Sequence, residues 1–265
     1  MPRPRLLIAG NWKMHGLAAD LGEAETLAAA LAGRRVRSRV ALFPPATLLD
    51  RMARAAQGRG LLVGAQDIYH EPSGAFTGAI SAEMAKDVGA SLVILGHSER
   101  RRDFGETDAQ VRLKVEAAFR GRLEPIVCVG ESAEVRDAGG TMARIESQLR
   151  ASLPESLGEQ RINVAYEPVW AIGAGKTPSL EEIAEAHEGL RRVLAHVIGD
   201  QAQATPILYG GSVTAENASA VLAVSGVDGV LVGSASLEAA DFLPIVWAAE
   251  AASEPDGGFE SWLRG

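Results

Sequence analysis

Eight short apolar runs punctuate the chain, beginning at Leu6, Val40, Leu61, Leu92, Pro125, Ile162, Pro206 and Gly229. Each is continuous rather than alternating, which is how a strand buried on both faces reads. The stretches between them carry helical periodicity. It is clearest from Leu180 to Ile198, where Ile183, His187, Leu190, Leu194 and Val197 share one face. Ser179 and Glu182 have the spacing of a capping box at its start, and Thr107 with Gln110 gives the same signal ahead of Val111, Val115 and Ala118. Alanine-rich segments after Leu17, Thr47, Ala133, Thr214 and Leu237 also suit helices.

Strand, loop and helix repeated eight times predict an α/β fold, a parallel eight-stranded (β/α)8 barrel. A doubly wound open sheet is the alternative, because periodicity does not count closure. The 265 residues suit one barrel. No linker or charge block divides residues 1–252, which are expected to form a single catalytic domain. Residues 253–265, with Pro255, Gly257 and Gly258, read as a C-terminal extension with a mobile end.

Composition narrows the function. Hydrophobic residues make up 47% and charged residues 23%, a globular balance. The net charge of -8 argues against nucleic acid or an anionic membrane as partner. An anionic substrate would therefore need a local positive site, and the chain has only four lysines, Lys13, Lys86, Lys114 and Lys176. The one cysteine, Cys128, fits a reducing compartment and reads as a buried, inert thiol. The apolar start is too short for a secretory core, and no run approaches a membrane span, so a cytoplasmic location is expected.

In a barrel, chemistry sits where strands end. The first run leads to Asn11-Trp12-Lys13, the fourth to Gly96-His97-Ser98-Glu99-Arg100, and the sixth to Tyr166-Glu167-Pro168-Val169-Trp170. The seventh and eighth lead to Gly210-Gly211-Ser212 and Gly233-Ser234. Taken singly, a lysine is a solvated charge, a histidine a core residue and a glycine pair a turn. Closure of a barrel would bring all five ends together. A glutamate can then act as general base, a histidine can polarise a carbonyl, a lysine can stabilise developing negative charge, and glycine-rich turns can offer N–H groups to a phosphate. The set supports proton abstraction next to a carbonyl of a phosphorylated substrate. Gly175-Lys176-Thr177 is not a nucleotide-binding loop, since Trp170 stands where that loop needs glycine. His15, His70, His187 and His196 lack metal-ligand spacing.

The segment from Ala165 to Pro178 resembles the signature of the triosephosphate isomerase family. Gly10-Asn11-Trp12-Lys13-Met14, Gly64-Ala65-Gln66, Gly74-Ala75-Phe76-Thr77-Gly78, Gly96 to Arg101 and Tyr209 to Val213 resemble it too, so the likeness runs from about Arg5 to about Ala249. This family is the standard worked case of a glutamate base, a neutral histidine and a closing loop.

The resemblance implies interconversion of dihydroxyacetone phosphate and D-glyceraldehyde 3-phosphate, in glycolysis and gluconeogenesis, with no metal or organic cofactor. It implies Glu167 as base, His97 as neutral hydrogen-bond donor, Lys13 as electrostatic stabiliser that also binds the substrate anion, and Asn11 as the positioner of Lys13 and of the substrate oxygen. Glu99 supports Lys13 or the wider catalytic network. Gly173, Ser212, Gly233 and Ser234 hold the phosphate, and Pro168 to Thr177 form a lid. Arg100 and Arg101 are structural in the family and stand outside the substrate site. The loop from Asp67 to Ile80, with Thr77 near its tip, reaches a partner subunit, so a homodimer is implied. Ser234, Ala174 and Ala79 depart from the usual glycine, threonine and acidic residue. Two rival readings are an isomerase of a four-carbon sugar phosphate and a barrel that binds phosphate without catalysis.

Overall fold

The structure, a computed structural model, describes residues 4–171 and 178–253. Its strands are β1 (Leu7–Asn11), β2 (Arg39–Phe43), β3 (Leu61–Ala65), β4 (Leu92–Leu95), β5 (Glu124–Val129), β6 (Asn163–Tyr166), β7 (Ile207–Tyr209) and β8 (Gly229–Val232). Every neighbouring pair is parallel, and β8 returns to β1 with Leu7 opposite Gly229 and Gly10 opposite Val232. That last pairing closes the barrel and removes the open-sheet alternative.

Closure explains why the apolar runs are continuous. Leu7, Ala9, Ala41, Phe43, Leu92, Ile94, Ile126, Cys128, Ala165, Leu208 and Leu231 fill the interior. Their neighbours Ile8, Val40, Leu42, Val93, Leu95 and Val127 point outward into a second core beneath the helices. Both faces of each strand are therefore dry. Gly64 on β3 shows how tight the interior is, because a Cβ there would stand 2.2 Å from the ring of Phe43. Only a hydrogen lets that ring into the barrel.

The surrounding helices are α1 (Leu21–Ala32), α2 (Ala46–Ala56), α3 (Ala82–Asp87), α4 (Ser98–Asp103), α5 (Asp108–Arg120), α6 (Ala133–Asp137), α7 (Thr141–Ser152), α8 (Leu180–Ile198), α9 (Ala218–Ala223) and α10 (Ala239–Ala252). Both expected capping boxes form. Gln110 N–H donates to Thr107 Oγ1 at 3.3 Å, and Glu182 N–H to Ser179 Oγ at 3.2 Å. The segment after Ala133 holds two helices rather than one, because Gly139, at φ 71°, breaks the first before Gly140 starts the second. Helix α3 is six residues long, too short to show a period, and is nucleated by Ser81 Oγ accepting from Met84 N–H. The last helix ends at Ala252, and residues 254–265 of the expected extension lie outside the described residues.

Candidate active site

The polar residues that follow β1, β4, β6, β7 and β8 meet at the C-terminal mouth of the barrel. They line a cavity of about 470 Å³ that includes Asn11, Lys13, His97, Glu167, Ser212 and Ser234. Glu99, Gly233 and the turn Gly210-Gly211 also border it. Gly173 and most of the expected lid, residues 172–177, lie outside the described residues.

Glu167 follows β6 directly, and its side chain is 2% exposed. One carboxylate oxygen accepts from Ser98 N–H at 2.8 Å, the other from Ser98 Oγ at 3.2 Å. His97 Nε2 lies 3.0 Å from Oε1. Burial alone would raise the pKa of this carboxyl, but His97 and the Ser98 donors outweigh it and hold the group below the usual carboxylate value. This carboxylate is therefore ionised at rest although it is buried.

His97 caps α4, and its Nδ1 accepts from Glu99 N–H at 3.3 Å. With Nδ1 accepting, the ring hydrogen stands on Nε2, directed at Glu167. Burial disfavours the charged ring, while the Glu167 carboxylate raises its pKa and wins as long as it stays alongside. Without the Glu167 contribution, desolvation, the largest cause, and Lys13 favour the neutral ring and Glu99 opposes them.

Lys13 has φ 51°, in the left-handed region that a residue with a Cβ rarely adopts. Three contacts over-determine it. Its N–H donates to Asn11 Oδ1 at 3.0 Å, and its carbonyl accepts from Gln66 Nε2 at 2.8 Å. Its Nζ reaches Glu99 Oε1 at 2.7 Å. Strain held this firmly fixes where the ammonium group points.

Ser234 opens a short 3-10 helix behind Gly233 and does not have a positive φ, so its backbone makes no demand for glycine. Arg100 pairs with Asp67 at 2.9 Å, and Arg101 donates to Gly96 O and pairs with Asp108. Burial raises the Cys128 thiol well above its ordinary pKa, which makes it a poor nucleophile.

Two contributors escaped the sequence reading. Ser98 was legible only as the neighbour of His97, and nothing local shows that it meets a residue 69 positions away. Glu131, buried after β5, accepts from Tyr166 OH and Trp170 Nε1, each at 3.0 Å. Arg136 stacks on the Trp170 ring at 4.5 Å and also pairs with Glu182. The cluster ties down residues on both sides of positions 172–177.

A family model described as triosephosphate isomerase matches residues 6–249. The chain belongs to the triosephosphate isomerase family. The triosephosphate isomerase of Caulobacter vibrioides is 55% identical over 245 residues, covering 92% of this chain and 97% of that one. That of Xanthobacter flavus is 52% identical over 241 residues, covering 91% and 96%. The crystal structure of triosephosphate isomerase from Bartonella henselae superposes with a TM-score of 0.84 at 40% identity, covering 92% of this chain and 98% of that one. The family match and the barrel agree on an isomerase built on eight parallel strands.

Proposed function

We propose that this enzyme interconverts dihydroxyacetone phosphate and D-glyceraldehyde 3-phosphate through an enediolate, in glycolysis and gluconeogenesis. The observation that carries the reading is a buried, ionised Glu167 with His97 Nε2 at 3.0 Å, on a cavity that also presents the turns after β7 and β8.

Glu167 gives up its Ser98 hydrogen bonds and takes a proton from the substrate carbon beside the carbonyl. The C–H electron pair moves into the carbon–carbon bond, and the carbonyl oxygen gains the negative charge. His97 Nε2–H donates to that oxygen, and Lys13 stabilises the charge as it develops. The hydroxyl proton on the adjacent oxygen passes to the former carbonyl oxygen by way of His97 Nε2, the oxygen it leaves becomes the new carbonyl, and Glu167 returns the abstracted proton to the former carbonyl carbon. Asn11 orients Lys13, Glu99 holds its ammonium, and Ser212, Gly233 and Ser234, with Gly173, offer N–H groups to the phosphate.

A homodimer is the proposed assembly. Residues 71–79 form an exposed finger, stiffened by Tyr69 against Phe76 with ring centroids 4.6 Å apart and by Tyr69 N–H donating to Ile80 O. Beside the active-site cavity lies a recess of about 640 Å³ reaching Asn11, Lys13 and Glu99, and Met14 at its edge is 94% exposed. A finger and a recess on one molecule suit a two-fold pair in which Thr77 reaches the partner's Lys13 region. Sedimentation should give a dimer that Thr77→Arg dissociates. The buried Cys128 thiol supports a cytoplasmic location, and no described helix is long and apolar enough to cross a membrane.

The deciding experiment assays glyceraldehyde 3-phosphate beside a four-carbon sugar phosphate, with wild type and Glu167→Asp. Fast turnover of the three-carbon substrate, lost in the variant, supports the proposal. Turnover of the four-carbon substrate alone would transfer the chain to that chemistry. Phosphate binding without any turnover would leave a non-catalytic barrel.

A further inference from the structure

The main chain of Glu167 is gripped from the β5 side by two consecutive residues. Its N–H donates to Val129 O at 2.8 Å. Its carbonyl lies against Gly130, where a Cβ would stand 1.8 Å from the Glu167 oxygen. No side chain fits that gap, so Gly130 can approach the base only because it is glycine.

Gly130 itself lies one residue beyond β5, and its N–H is bonded to a side chain rather than to a strand. It donates to Gln148 Oε1 at 2.9 Å. Gln148 is a residue of α7, where the other buried positions are Ile145, Leu149 and Ser152, and it is only 3% exposed. An amide buried on such a face is costly unless its polar atoms are bonded. Here the bonded atom serves the residue that touches the base.

We propose that Gln148 is a positioning residue for the base: it fixes Gly130, and through Gly130 the depth at which the Glu167 main chain crosses the barrel mouth. This rests on the reading of Glu167 as base. Gly130 touches the Glu167 backbone and is not among the residues bordering the active-site cavity. A displacement of Gly130 therefore moves the base and leaves the phosphate turns in place. The signature is a loss of kcat without a loss of phosphate binding, because proton transfer is far more sensitive to sub-ångström placement than ground-state binding is.

Gln148→Met keeps length and volume but removes the acceptor, leaving the Gly130 N–H unmet. Its kcat should fall about tenfold or more, while the inhibition constant for inorganic phosphate stays within about twofold. Gln148→Glu keeps an oxygen at the same reach and should recover most of the lost kcat. Gly130→Ala is the second variant and decides the matter if either glutamine variant fails to fold. Its Cβ displaces Glu167 directly, so kcat should fall further, again with phosphate inhibition unchanged. Wild-type kcat in Gln148→Met or Gly130→Ala, or a parallel loss of kcat and phosphate binding, would overturn the proposal. Glu167→Asp, run alongside, separates the two readings. A slow Asp variant with a fast Gln148→Met sinks only the positioning role, whereas a fast Asp variant removes the base and this inference with it.

Discussion

Each mouth of the barrel holds a glutamate, half-buried at one and buried at the other, and the two are treated in opposite ways. At the N-terminal mouth, Glu124 opens β5 and meets Arg39, which opens β2. The two nitrogens of the guanidinium reach the two carboxylate oxygens at 2.8 and 2.7 Å, and Asn163 Nδ2, from β6, adds a third donor at 2.8 Å. Burial raises the Glu124 pKa, and Arg39 more than reverses it. At the C-terminal mouth, Glu167 is also held ionised, but by one imidazole, one main-chain N–H and one hydroxyl. A fixed cationic fork makes a carboxylate a girder. Single donors keep it charged yet let it leave, which is what its proposed role as a base that reaches a substrate requires.

Four experiments can break or sharpen that contrast. The largest effect is expected at the upper mouth. Glu167→Gln should lower kcat by about 10³–10⁴-fold, the scale of general-base catalysis, with little change in Tm, since it removes a buried charge rather than a tie. A variant that unfolds would show that this carboxylate is structural after all. His97→Gln should follow, with kcat down about 10²–10³-fold from the lost donor and the inhibition constant for inorganic phosphate nearly unchanged.

The third experiment concerns acid. His187 is buried between Tyr166 and Tyr209, and burial, the dominant cause, pushes its pKa down to about 4. The unfolded imidazole, near 6.5, binds a proton that the folded one refuses, so stability should decline as pH falls from about 6.5 toward about 4. The full loss is about 3 kcal/mol from this group. Thermal melts from pH 7.5 to 5 should show it, and His187→Gln should flatten that part of the profile. The smallest effect is expected at the base. Arg39→Met should cost about 1–3 kcal/mol by leaving Glu124 partly buried and unpaired, with kcat unchanged. If kcat fell as well, the two mouths would be coupled and the contrast lost.

What was legible in the chain follows the range of the interactions. The strands and both capping boxes could be read because dryness on two faces and an i to i+3 contact leave marks within a few residues. The candidate residues could be read because each stands just past a strand. The contacts that make them a site could not. Ser98 meets Glu167 across 69 positions, and Arg39 meets Glu124 across 85. Gln148 looks like one more polar residue on a surface helix until barrel closure brings Gly130 beneath it. The left-handed backbone of Lys13 is equally silent, since lysine carries no preference for it.

That backbone has a consequence for how this protein could change. A glycine at position 13 would relax the strain at once, and a library screened only for heat resistance would drift there early. The lysine therefore persists where offspring are judged on turnover and disappears where they are judged on surviving heat, so its presence or absence in an engineered lineage would report which of the two was being selected.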